Sequence, residues 1–280
     1  MAGAVVIPEG RFARSGPGRD WALRYGMRLA VLAAALALWQ ALSEAGLIRG
    51  DEFPSMTATV SALGRQAASA SLWAAVRDTL AGWAIGLAIG GGCAIVIGSL
   101  AGLSGFAYRS VIGVVEFFKT IPVIAILPIA LVLWGATLTM KVALVAFAVF
   151  WPLVIQVCYG VRSLDPIARD TARALRVRGA REFLMVVLPS AAPFIATGLR
   201  VSVAVALIVD IVAELIGGGS GIGAQILLAE NSGPSAYPVM YAYILVAGLL
   251  GVLLAGVFTL VEGRVMHWHE SYRMAAGHAG

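Results

Sequence analysis

Of the 280 residues, 60% are apolar and 12% carry a formal charge, and the mean hydropathy is +0.90. A soluble domain carries about 25% charged residues, so too few polar groups remain to clothe a water-facing surface, and lipid must solvate much of the chain. The net charge of +5 does not point to nucleic acid: the basic residues, all arginine except Lys119 and Lys141, sit at the ends of apolar runs without interleaved aromatics, where they anchor spans to one side of a membrane.

In chain order, residues 1–26 combine Gly, Pro, Ser and Arg with little periodicity and are expected to be a disordered cytoplasmic tail. A first transmembrane helix is expected over 27–48. Its purely apolar stretch is short, and it follows an arginine-bearing segment as a secretory leader would. That segment is long for a leader, however, so a retained span is the reading adopted. Residues 49–76 form an expected periplasmic segment in which Met56, Val60 and Leu63 follow helical spacing. It is either an interfacial helix or a docking element for an external partner.

A five-helix core is expected over 77–263. Runs 79–103, 142–161 and 237–261 contain no charged residue and exceed the length a bilayer requires. Run 111–138 is interrupted by Glu116 and Lys119, and run 189–216 by Arg200, Asp210 and Glu214. In the first of these spans Gly82, Gly86 and Gly90 recur every fourth residue, either as a close-packing face or as generic glycine content. Six spans with the N-terminus inside would concentrate arginines before residue 29, at Arg109, between Arg162 and Arg181, and at Arg264 and Arg273. The other side would keep only Arg49, Arg65, Arg77 and Lys141. That asymmetry puts both termini in the cytoplasm, with residues 264–280 as the C-terminal tail.

No catalytic or metal-binding constellation is legible. Cys93 and Cys158 fall inside apolar runs, and His267, His269 and His278 crowd the tail without a carboxylate or thiol beside them. Neither lysine lies in a Gly-Lys-Ser/Thr sequence, so the usual ATP-binding loop is missing. The glycine-rich 217–223 stretch follows an expected helix rather than a strand and reads as a flexible outer turn or short re-entrant segment.

The cytoplasmic loop 162–188 carries the strongest local pattern. Asp165-Pro166 is a helix start, a capping carboxylate followed by proline at the first helical position. Leu164, Ile167, Ala168, Thr171, Ala172 and Leu175 then keep helical spacing, with Arg169, Asp170, Arg173 and Arg176 on the other faces. Gly179 can end that helix. By pattern alone the helix rests on anionic lipid or is gripped by another protein.

Asp170-Thr171-Ala172-Arg173-Ala174-Leu175, continuing to Leu188-Pro189, resembles the Glu-Ala-Ala loop of ABC importer permeases. Glu116-Phe117-Phe118-Lys119-Thr120-Ile121-Pro122, Gly198-Leu199-Arg200, Ala213-Glu214-Leu215 and Ser220-Gly221-Ile222-Gly223 are similar to the branch that handles nitrate, sulfonates, taurine or bicarbonate. Against that pattern Arg176 stands where a glycine is expected, Lys119 for Arg, Thr120 for Pro, and Asp210 at an apolar position. The resemblance implies an all-α membrane protein with a type I importer core, working in the inner membrane as a homodimer. It implies cytoplasmic ATPase subunits that bind ATP and Mg while this chain binds no cofactor, and a periplasmic or lipid-anchored solute-binding protein. It makes Asp170, Thr171, Ala172, Leu175, Arg176, Gly179, Leu188 and Pro189 the ATPase-coupling loop. The charges at membrane depth, Glu116, Lys119, Arg200, Asp210 and Glu214, become candidates for the translocation pathway or for pairings that pin helices together. A self-contained secondary transporter using those acids is the alternative, although no internal symmetry supports it.

Overall fold

The computed structural model describes residues 17–46 and 52–266. Residues 1–16, 47–51 and 267–280, the last with all three histidines, lie outside the described residues, whereas residues 17–26 of the tail expected to be disordered over 1–26 are helical, the start of a helix running Pro17–Glu44. All regular structure in the described residues is helical.

The chain divides into two units, 1–58 and 59–280. In the first, residues 53–54 lie against the end of α1 (Pro17–Glu44). Trp39 Nε1 donates to the Pro54 carbonyl at 3.0 Å, Ser43 Oγ donates to the Phe53 carbonyl at 2.9 Å, and the rings of Trp39 and Phe53 lie 5.8 Å apart. The expected outer helix starts here as α2 (Met56–Ala67).

The second unit holds the core. Ser69 caps α3 (Ala70–Leu103), Ser104 caps α4 (Gly105–Lys119), and Thr137 caps α6 (Leu138–Arg162), each side chain accepting a first-turn amide. α5 (Val123–Trp134) lies between α4 and α6. After α6 come α7 (Pro166–Ala174), the single turn α8 (Ala180–Glu182) and a π-helical turn at Phe183–Val187. These are followed by α9 (Leu188–Gly217), α10 (Ile222–Asn231), a 3₁₀ turn at Pro234–Ala236 and α11 (Tyr237–Val265).

α3 and α6 run in the same direction and touch backbone to backbone. A Cβ on Gly86 would fall 2.6 Å from Val145 Cβ, one on Gly90 2.5 Å from the Ala146 carbonyl oxygen, one on Gly98 2.8 Å from Val157 Cβ, and one on Gly102 2.8 Å from Val161 Cβ. The spacing begun at Gly86 and Gly90 therefore extends through buried Ala94 to Gly98 and Gly102 as one packing seam against α6, whereas Gly82 faces Asp210 of α9. Lipid offers no hydrophobic drive between helices, so this close approach, and the dispersion contact it allows, holds them. α6 packs on α9 in the same way, with Gly198 against Leu153 and Gly160 against Phe194.

Four described helices are long and apolar enough to cross a membrane, at 26–44, 70–103, 138–162 and 234–265. The span expected over 111–138 consists of α4 and α5, bent by 85° at a break. Pro122 explains it: the ring removes an amide and disfavours the helical region for the residue before it. α4 meanwhile closes through Thr120, whose amide and hydroxyl both donate to the Phe117 carbonyl. α9 has 30 residues, length enough for a crossing, but its three charges set it apart from the purely apolar spans.

Candidate functional site

The hairpin between α6 and α9 follows its expected start. Asp165 Oδ1 accepts the Ile167 amide at 2.9 Å, and α7 runs to Ala174. Its end is a left-handed turn in which Arg176 adopts φ +59° and the Val177 amide donates to the Ala172 carbonyl at 2.9 Å. This is the six-to-one bond of a Schellman cap, with arginine in the position where glycine is favoured. The expected glycine position thus keeps its turn without its glycine, at a strain of about 1–2 kcal/mol. Arg176→Gly should relieve roughly that amount and slow hydrogen exchange of the α7 amides; unchanged or faster exchange would contradict the strain.

Of the coupling-loop residues, Ala172 is buried, whereas Asp170, Thr171, Leu175, Arg176, Gly179 and Pro189 are exposed and Leu188 is half-buried. Gly179, at φ +62°, opens α8. Arg169 Nε lies 3.5 Å from Glu182 Oε1 and ties the two arms of the hairpin. Ile167 and Leu175 are each 73% exposed, an apolar pair on the hairpin surface. From Ala180 to Gly217 the backbone is helical without a break, so the second arm and α9 form one rod. A cavity of about 670 Å³, lined by Ile95, Ser99, Leu103, Phe183 and Val187 among others, lies between this arm and the C-terminal half of α3.

At the far end of that rod lies a buried ionic cluster. Lys141 on α6 is 3% exposed; its Nζ donates to Glu214 Oε1 at 2.7 Å, to the Asp78 carbonyl at 2.9 Å and to the Ser220 carbonyl at 3.0 Å. Those bonds use all three ammonium donors. Glu214 is fully buried; it also accepts the Thr79 hydroxyl at 2.9 Å and the Gly223 amide at 3.0 Å, while Thr79 Oγ1 accepts the Ile222 amide at 2.9 Å. The glycine-rich stretch is built around this carboxylate. Gly221 has φ +133°, and a Cβ there would overlap the Glu214 carboxyl. The expected flexible outer turn is therefore pinned, and the Ala213–Leu215 and Ser220–Gly223 motifs are two sides of one site.

The other charges are placed as follows. Glu116 and Lys119 bridge one another three residues apart on α4 with partly exposed side chains. Arg200 Nη2 meets Glu262 Oε2 of α11 at 2.5 Å. Asp210 is fully buried one turn before Glu214. Near Lys119, the Phe118 and Trp151 rings stack 4.6 Å apart. Sequence reasoning missed Lys141, counted there as a flanking charge, and with it Thr79 and Glu262. One signal was available: a buried Glu214 and an Arg200 at membrane depth each demand a counter-ion, and Lys141 and Glu262 border neighbouring apolar runs.

Long apolar helices joined through small residues, with the Lys141–Glu214 and Arg200–Glu262 ion pairs between them, define a polytopic helical membrane protein. The chain belongs to the family of binding-protein-dependent transport system inner membrane components, whose model matches residues 94–267. It is an ABC transporter permease subunit and not itself an enzyme. It is 28% identical over 273 residues, 97% of each chain, to the Bacillus subtilis protein named "Putative aliphatic sulfonates transport permease protein SsuC". It is 28% identical over 183 residues, 65% of each chain, to the nitrate import permease protein NrtB of Leptolyngbya laminosa. A chain of the inward-facing MetNI methionine ABC transporter shares the fold with a TM-score of 0.54 at 19% identity, covering 70% of this chain and 95% of that one.

Proposed function

We propose that this chain is the inner-membrane permease of an ATP-driven importer for a small anion of the sulfonate or nitrate kind, with both termini cytoplasmic. It works as a homodimer with two cytoplasmic ATPase subunits, which hold ATP and Mg, and an external solute-binding protein. The observation that carries this reading is the hairpin: an apolar pair, Ile167 and Leu175, each 73% exposed, on an arm continuous with α9. An exposed apolar pair rimmed by Asp170 and Arg176 suits a groove on a partner. ATP-driven approach of two such grooves would push both α9 rods, and the rods would pass that motion towards the Lys141–Glu214 closure. Alternating access then follows as a shift between two packed states, loaded binding protein favouring one and ATP the other.

The relatives' names support the substrate class. Within the bundle, the partly exposed Glu116–Lys119 pair beside Phe118 and Trp151 is the better pathway candidate. Arg200 and Glu214 serve first to hold α9 to its neighbours.

Asp170→Lys and Leu175→Asp should each release the ATPase from detergent-extracted complexes and abolish uptake, while membrane insertion stays normal. Full ATPase retention together with normal uptake in either variant would refute the docking role.

A further inference from the structure

Asp210 is left out of every pairing described above. It is fully buried, and no side-chain or well-aligned backbone donor satisfies either carboxyl oxygen among the described residues, although the Trp83 backbone amide of α3 lies nearby. The carboxyl presses on the backbone face of α3 at Gly82, where a Cβ would fall 2.8 Å from Oδ2 and closer still to Oδ1. Glycine leaves the only room for it. The charged and polar groups around it are already committed. On α9, Glu214 takes the Lys141 ammonium; on α6, Lys141 has spent its three donors; on α3, Thr79 serves Glu214 and Ile222, and Asp78 pairs with Arg77; on α10, the Gly223 amide serves Glu214.

With all groups ionised the cluster would hold one ammonium and two carboxylates, a net negative charge with no access to water. An unpaired buried carboxylate is destabilising by several kcal/mol, so the charge must be neutralised. A metal ion needs several convergent oxygens, and no group of acidic, His or Cys side chains suited to one exists among the described residues. A proton needs one oxygen and no further ligand.

We propose that Asp210 is a buried proton-binding site, occupied at neutral pH, whose emptying sets an alkaline limit on transport. With the proton bound, Asp210 is a neutral acid and Lys141 belongs to Glu214 alone. Loss of the proton creates a second carboxylate one helical turn away that competes for the same ammonium, and the Thr79–Lys141–Glu214 closure loosens.

The test uses the full-length protein in lipid nanodiscs and two readouts. Infrared spectra at pH 7 should contain a protonated-carboxyl C=O band that is absent in Asp210→Asn and Asp210→Ala and fades in the wild type as pH rises. With its ATPase and binding protein, wild-type uptake should fall at alkaline pH several-fold more steeply than that of whichever of the two variants assembles. A spectrum in which neither substitution removes a band, or a variant that keeps the wild-type alkaline fall, would overturn the proposal. The infrared readout does not depend on transport, so it stands or falls separately from the assignment as an importer.

Discussion

Lys141→Met should be among the most damaging single substitutions in the bundle, destabilising it by about 3–5 kcal/mol, because it strands the Glu214 carboxylate without its cation. The Glu214 and Lys141 side chains are 0% and 4% exposed, so solvent screening gives no relief. The Asp78 and Ser220 carbonyls also lose their donor. Glu214→Gln should be comparably harmful, since it strands the ammonium instead. The two changes together should be less damaging than their sum, because neither charge is then left alone. Thermal unfolding of the detergent-purified protein, followed by monodispersity on size exclusion, reads all three variants. A Lys141→Met protein that melts with the wild type would show that the pair is ornamental.

The second large effect is steric. Gly90→Ala should destabilise the bundle by about 1–3 kcal/mol, in the range of an overpacked core. The new methyl would meet the Ala146 carbonyl oxygen at 2.5 Å and its Cα at 2.8 Å. These are backbone atoms of α6, so no side chain can rotate away and the two helices must part. Gly92, two residues on, faces open space, and Gly92→Ala should be neutral or slightly stabilising because alanine loses less backbone entropy in a helix. Equal melting temperatures for the two variants would mean that α3 and α6 do not approach as described.

Much of the fold was legible where the signal is local. Apolar run length located the helices at 70–103, 138–162 and 237–265, and Asp165-Pro166 with the following helical spacing located α7. The break between α4 and α5 was masked by an apolar run that continues through Ile121 and Pro122, so length outweighed the proline. The Gly82–Gly90 spacing could not by itself choose between a packing seam and generic glycine content; the facing backbone of α6 decides it.

The site was half legible. Membrane-depth charges named Glu116, Lys119, Arg200, Asp210 and Glu214, and the Glu116–Lys119 pairing follows from their spacing of three. Lys141 was opaque because its partners lie 63, 73 and 79 residues away, and two of them are backbone carbonyls, which no side-chain pattern reveals. Arg176 stood out in the sequence as a missing glycine; that the turn persists there in left-handed backbone is a tertiary result.

The account depends most on the hairpin being seated in a nucleotide-driven partner. Leu175→Cys, introduced after Cys93 and Cys158 are replaced, can be treated in native membranes with a short thiol–amine cross-linker and the product identified by mass spectrometry. The account predicts one dominant adduct to a cytoplasmic ATPase, with a yield that changes when ATP is trapped. Labelling of that cysteine from the external face, or an adduct set that contains no ATPase, would contradict it.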